Sequence, residues 1–179
     1  AKDMLTAFPP GLMLGPILRR EDTRDGFISR SGQKLSEMPS GAVIGTTSLR
    51  RQAQILAMRP DLKVIPFRGN VQTRLRKLDE GQADATLLAV AGLKRLDRMD
   101  VLTQLFDPET ILPAVGQGAI ALELRADDEK SMRAAEPLND MKSATEVAME
   151  RAFLAVLDGS CRTPIAGIAT ANIDADRIK

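Results

Sequence analysis

The sequence predicts an α/β layer fold. Three observations carry that prediction. Between residues 42 and 90 the chain alternates strand-like and helix-like segments: strand, helix, strand, helix, strand. The last segment, 85–90, is a continuous apolar run of the kind a buried parallel strand requires. The junctions fall on residues that cap or break helices, with Ser48 before one helix, Pro60 after it and Gly81 closing the next.

Residues 1–18 are rich in Pro and Gly, with apolar runs at 12–14 and 17–18, and residues 19–25 form a charged connector. Residues 42–47 are a short β-branched strand. Ser48 can accept a backbone N–H at the start of a helix over 49–58. Pro60 and Asp61 turn the chain into a second strand, 63–67. Arg68-Gly69-Asn70 is a loop, and 71–80 is an amphipathic helix. Beyond a second connector, 113–118, the pattern predicts a strand over 119–124 and helices over 128–138 and 143–157. The last of these shows an apolar stripe at Val147, Ala148, Phe153, Leu154 and Leu157. A further strand is expected over 165–170. Ala1-Lys2-Asp3-Met4 carries no start signal and 173–179 reads as half a hairpin, so a piece of a longer protein is expected.

Composition narrows the chemistry. The chain has 179 residues, 44% hydrophobic and 27% charged, with a net charge of +1. That is ordinary globular composition, without the basic excess expected of a nucleic-acid or anionic-membrane binder. No apolar run reaches the ~20 residues of a membrane helix. A single cysteine suits a reducing, cytoplasmic compartment. Histidine is absent, which removes a histidine base and His-ligated metal. Trp and Tyr are absent and Phe numbers five, so base stacking is a poor fit.

Two arginine-bearing turns stand out. Gly45-Thr46-Thr47-Ser48-Leu49-Arg50-Arg51 and Arg68-Gly69-Asn70-Val71-Gln72-Thr73-Arg74 each join a strand to a helix, and Arg95 follows the third strand. Helix N-termini and guanidinium forks both favour carboxylates or phosphates. In an open sheet all three lie at the carboxyl edge of the strands, where ligands bind. No Walker phosphate loop is present. The lone Cys161, in Gly159-Ser160-Cys161-Arg162-Thr163-Pro164, serves either packing or chemistry. On spacing alone Lys2 and Asp3 are surface charges, Gly116-Gln117-Gly118 is a hinge or a ligand contact, and Glu146 and Glu150 share a solvated helix face.

These segments together resemble the porphobilinogen deaminase (hydroxymethylbilane synthase) family of tetrapyrrole biosynthesis. The resemblance also takes in Leu88-Ala89-Val90-Ala91-Gly92-Leu93-Lys94-Arg95-Leu96 and Pro113-Ala114-Val115-Gly116-Gln117-Gly118, so it runs nearly end to end. It implies a transferase that condenses four porphobilinogen molecules head to tail, with loss of ammonia, into hydroxymethylbilane. A dipyrromethane cofactor, held through a thioether on Cys161, would prime the reaction. Lys2-Asp3 matches the end of the family's catalytic motif. Asp3 would hold pyrrole N–H groups and stabilise developing positive charge. Thr46, Ser48, Arg50, Arg51, Arg74 and Ala89 would bind the cofactor, and Arg68, Arg95, Arg50 and Arg74 the substrate. The family acts as a cytoplasmic monomer on a small molecule, with no nucleic acid, membrane or metal.

The fold implied is a pair of periplasmic-binding-protein-like, two-crossing α/β domains plus a small α/β third domain. Residues 1–18 and 115–138 would be remnants of the first, 24–112 a complete second, and 141–179 the start of a third that carries Cys161. The resemblance has departures: the His-Ser half of the catalytic motif is missing, and Leu5 stands where the family usually has proline. With most of the first domain absent, the chain alone is expected to turn over little porphobilinogen. The competing reading is a non-catalytic small-anion-binding domain of the same architecture, which gives no reason for Cys161 to sit in its turn.

Overall fold

A computed structural model describes residues 2–157, 163–172 and the backbone of 177–178. In chain order the strands are β1 (Leu12–Ile17), β2 (Asp25–Ser29), β3 (Val43–Gly45), β4 (Lys63–Ile65), β5 (Ala85–Ala89), β6 (Gln104–Leu105), β7 (Ala121–Arg125), β8 (Ala171–Asn172) and β9 (Arg177–Ile178). The α-helices are α1 (Leu49–Met58), α2 (Val71–Asp79), α3 (Val90–Arg95), α4 (Glu129–Ala135) and α5 (Met141–Val156). The chain forms two compact units. It leaves the first after Thr23, builds the second from Arg24–Pro113 (with residues 163–164), and re-enters the first at Ala114.

The second unit is built on a five-stranded sheet of order β4-β3-β5-β2-β6. Strand β3 runs parallel to β4 and β5, whereas β2 is antiparallel to β5 and β6 to β2. Side chains alternate across the sheet. Phe27, Ile44, Leu87 and Phe106 pack with Ile55 of α1 in one cluster. Ile28 and Leu88 pack with Leu75 and Leu78 of α2 and Leu93 of α3 in another. Both faces of the central strands are therefore covered, which is why all of β2 is buried.

Local chemistry sets the boundaries. The Ser48 hydroxyl accepts the Arg51 N–H, Asn70 Oδ1 the Thr73 N–H, Asp128 Oδ1 the Ser131 N–H, and Asp140 Oδ1 the Ser143 N–H, each opening a helix. Asp140 thus starts α5 two residues before the expected Ser143. Strand β4 stops at Ile65 because Pro66 cannot donate to a ladder. The helix expected over 128–138 tightens into a 3-10 turn at Glu136–Leu138, where Pro137 lacks an N–H.

In the first unit β1 pairs antiparallel with β7, with a register shift between Leu14 and Ile17 around Pro16. Ile17, Ala119 and Val147 form its core. Three expectations are corrected here. Glu146 and Glu150 do not form a solvated face. Glu150, 3% exposed, takes a two-pronged bond from Arg20 (2.8 and 3.0 Å) and a third from Gly116 N (2.6 Å), and Glu146 lies 3.6 Å from Arg20. The connector 19–25 therefore carries a buried ion-pair partner. The strand expected at 165–170 begins only at Ala171, because this segment bonds to α5 instead: Ala169 N–H donates to Glu150 and Ala171 N–H to Glu146. Of the apolar stripe on α5, Val147 is buried, whereas Ala148, Phe153 and Leu157 are exposed.

Candidate functional site

Parallel alignment of β3, β4 and β5 brings their carboxyl ends, Gly45, Ile65 and Ala89, to one edge of the second unit. The antiparallel β2 starts at that edge, with Asp25 opposite Ala89. The turn after β3 is tight. A Cβ on Gly45 would sit 2.5 Å from the Phe67 ring, so only glycine lets the strand end pass this aromatic. Thr46 is buried, and its hydroxyl accepts the Ser48 N–H at 3.1 Å. The turn after β4 requires Gly69, whose φ of +135° is closed to other residues.

Helix α1 then delivers Arg50 and Arg51 into the interior, 4% and 5% exposed. Both meet Asp25, which is 0% exposed. Arg50 Nη2 donates to Asp25 Oδ2 at 2.7 Å, Arg51 Nη2 to Oδ1 at 2.6 Å, and Arg51 Nε to Oδ2 at 3.2 Å. Arg50 Nη1 reaches the Leu112 carbonyl at 2.6 Å, and Arg51 Nη1 the Leu87 carbonyl at 3.2 Å. Gln54 grips Leu112 from both sides, which fixes the segment that Arg50 touches. Burial pushes the Asp25 carboxyl up, but Arg51 and then Arg50 outweigh it and hold it at about 2. Burial lowers the Arg50 guanidinium, with Asp25 pulling it back up.

Arg74, half-buried on α2, donates from Nε to the Gly69 carbonyl at 2.8 Å. Its guanidinium is lowered first by burial and then by the like charge of Arg51. Two guanidinium groups therefore hold the carboxylate of Asp25, and a third, Arg74, lies close enough to Arg51 to feel its like charge, so positive charge is in surplus among these four side chains. Ser48, half-buried, caps α1 two residues before Arg50, and Ala89, half-buried at the end of β5, pairs with Asp25 across the ladder. Arg68 and Arg95 are exposed, Arg68 in the turn after β4 and Arg95 at the far end of α3, roughly 7.5 Å of helix beyond β5.

The remaining candidates belong elsewhere. Lys2 and Asp3 are exposed residues of the first unit. Cys161 lies outside the described residues. Gln117, in the Gly116–Gly118 turn, is fully buried: its side-chain amide donates to the Thr23 carbonyl at 2.7 Å, and its own carbonyl accepts Arg20 Nε at 3.0 Å. Sequence reasoning missed Asp25, which was read as connector charge. Two adjacent arginines at a buried helix start require a counter-ion, but nothing local places it 25 residues upstream of Arg50.

Comparison with known proteins matches the sequence of this chain to a family. The model of the "porphobilinogen deaminase, dipyromethane cofactor binding domain" matches residues 1–133, and that of the "porphobilinogen deaminase, C-terminal domain" matches 144–179. The curated porphobilinogen deaminase of Paracoccus denitrificans is 52% identical over 178 residues, covering 99% of this chain and 56% of the relative. That of Nitrobacter hamburgensis is 51% identical over 174 residues, covering 97% and 55%. The chain thus spans about half the length of the curated relatives it matches. A Salmonella typhimurium periplasmic binding protein of high arginine specificity aligns with a TM-score of 0.46 and 11% identity, over 79% of this chain and 64% of that one. The assignment rests on the sequence relatives and not on that likeness. By family model and by relatives alike, the chain belongs to the porphobilinogen deaminase family.

Proposed function

We propose that this chain is part of a transferase that joins four porphobilinogen molecules head to tail to give hydroxymethylbilane. At each step a carbon–carbon bond forms while the aminomethyl C–N bond breaks and the nitrogen leaves as ammonia. The observation that carries the reading is the surplus of guanidinium charge at the carboxyl edge of β3, β4 and β5, where Arg50 and Arg51 share the one carboxylate of Asp25 and Arg74 feels the charge of Arg51. Porphobilinogen and a dipyrromethane primer both bear acetate and propionate groups, so the donor set fits them.

When bound through a thioether to Cys161, the primer supplies the pyrrole end that is extended. Arg50, Arg51 and Arg74, with Thr46, Ser48 and the Ala89 backbone, would hold its carboxylates. Arg68 and Arg95, with Arg50 and Arg74, would pair with those of the substrate. As they stand Arg50 and Arg51 give their forks to Asp25 and to the Leu112 and Leu87 carbonyls, so a ligand carboxylate would exchange with those bonds, while half-buried Arg74 engages the Gly69 carbonyl through Nε. Asp3, exposed, would hold pyrrole N–H groups and stabilise the positive charge that develops as ammonia departs, with Lys2 adding a hydrogen bond.

In domain terms we assign 24–112 to a complete second domain, 1–18 and 115–138 to parts of the first, and 141 onward to the third. The protein would act in the cytoplasm as a monomer on a small molecule. Among the described residues no helix is long and apolar enough to cross a membrane.

Calorimetric titration with porphobilinogen tests the carboxylate reading. Binding should weaken as salt rises, and Arg74→Ala should weaken it about tenfold, as loss of a charged hydrogen-bond donor does. Salt-independent binding, or an unchanged Kd in Arg74→Ala, would remove the arginine cluster from the site.

A further inference from the structure

Segment 2–8, which carries Lys2 and Asp3, has little side-chain burial to hold it. Lys2, Asp3, Leu5 and Ala7 are exposed, and Met4, Thr6 and Phe8 are half-buried. Leu5, 63% exposed, contributes little packing. As leucine it also leaves its φ unrestrained, where a proline would fix it near −65°. A side chain from far along the sequence grips the segment. Arg151, on α5, donates from Nη2 to the Leu5 carbonyl at 2.6 Å and to the Thr6 carbonyl at 3.0 Å. Its guanidinium also lies 5.2 Å from the centre of the Phe8 ring, a cation–π distance. One planar group thus touches three of the residues that follow Asp3.

The helix that supplies it matters. α5 ends at Val156, five residues before Cys161 in sequence. Its other face is itself fixed, because Glu146 and Glu150 are locked to Arg20 and to the backbone at Gly116, Ala169 and Ala171. α5 is therefore a rigid post, and Arg151 hangs the Asp3 segment on it.

We infer that Arg151 is a positioning residue: by clamping the carbonyls of Leu5 and Thr6 and covering Phe8, it fixes the Lys2-Asp3 turn on the helix that leads to Cys161. This rests on the role proposed above for Asp3. A guanidinium suits the task because two carbonyls and a ring need a flat donor with a fixed fork, which the point charge of lysine does not supply.

Two measurements on the full chain test the inference. The first is amide hydrogen exchange, which does not depend on the functional reading. Arg151→Ala should speed exchange across 4–8 about tenfold or more, with β1 and α4 unchanged, and Arg151→Lys should fall between. Unchanged exchange across 4–8 would overturn the clamp. The second is porphobilinogen affinity by calorimetry in a double-mutant cycle with Asp3→Asn. If Arg151 acts through Asp3, each single variant weakens binding about fivefold or more and the double variant is little worse than either. Additive losses would mean that Arg151 merely supports the unit, and would overturn the positioning role. If the unaltered chain binds no porphobilinogen, the functional reading fails and the positioning role falls with it, while exchange still decides whether the clamp exists.

Discussion

Both oxygens of Asp25 are held by guanidinium groups, Oδ1 by Arg51 and Oδ2 by Arg50 and Arg51 together. Removing that charge leaves two buried cations facing each other. Asp25→Asn should therefore cost about 3–5 kcal/mol in urea unfolding, and a loss below ~1 kcal/mol would mean the triad is not the anchor described. The same pair sets a pH dependence. The folded-state pKa of Asp25, about 2, lies below the ordinary 3.8. Its stabilising contribution is therefore complete above about pH 4 and is lost as pH falls through about 2. Asp61, held at about 2 by its hydrogen bonds to the half-buried Arg59, pulls the same way. Between pH 4 and 2 the unaltered chain should lose stability more steeply than Asp25→Asn, and parallel acid curves would contradict the assignment. Arg50→Lys keeps the charge but loses the fork that reaches Asp25 and Leu112, so it should weaken both folding and carboxylate binding.

At the scale of elements, the turn after β3 is the tightest point of the candidate site. Gly45→Ala would drive a methyl group into the Phe67 ring, whose carbons lie 2.5–2.9 Å from the new atom. A loss of about 1–3 kcal/mol is expected, with Phe67→Leu recovering part of it in the double variant. If Gly45→Ala unfolds at the same urea concentration as the unaltered chain, the close packing of β3 on Phe67 is wrong. The elements most legible in the sequence were those with local signals. Ser48 announced α1, Gly81 marked the end of α2, and the apolar run at 85–90 announced β5. What stayed hidden depends on distant partners. β2 has only five residues, Asp25-Gly26-Phe27-Ile28-Ser29, and is a strand because β5 and β6 flank it. Glu146 and Glu150 had the spacing of a wet helix face, and their burial follows from Arg20, 130 residues from Glu150.

At the scale of the whole molecule, the chain visits one unit, builds the second and returns, so the first unit is assembled from distant stretches of sequence. The Arg20–Glu150 pair joins three of them. Arg20→Ala would leave two acidic side chains buried without their cation and should cost about 3–5 kcal/mol. Faster hydrogen exchange should appear in α5 and around Gly116, and protection as in the unaltered chain would contradict that role. The two strand-to-helix arginine turns were legible as local motifs, whereas Asp25, the buried partner of Arg50 and Arg51, was not; Lys2-Asp3 and Cys161 stood out only through the family resemblance, and Arg151 over the segment after Asp3 had no local signal. Everything proposed above for the reaction depends on Cys161 being able to carry a pyrrole primer. That capacity is tested most directly by the intact mass of the chain after incubation with hydroxymethylbilane, followed by peptide mapping. We expect a gain on Cys161, absent from Cys161→Ser, equal to hydroxymethylbilane less one water (four linked pyrroles), or to two linked pyrroles where hydrolysis has released the outer pair. An unmodified Cys161, or an equal gain in Cys161→Ser, would contradict it.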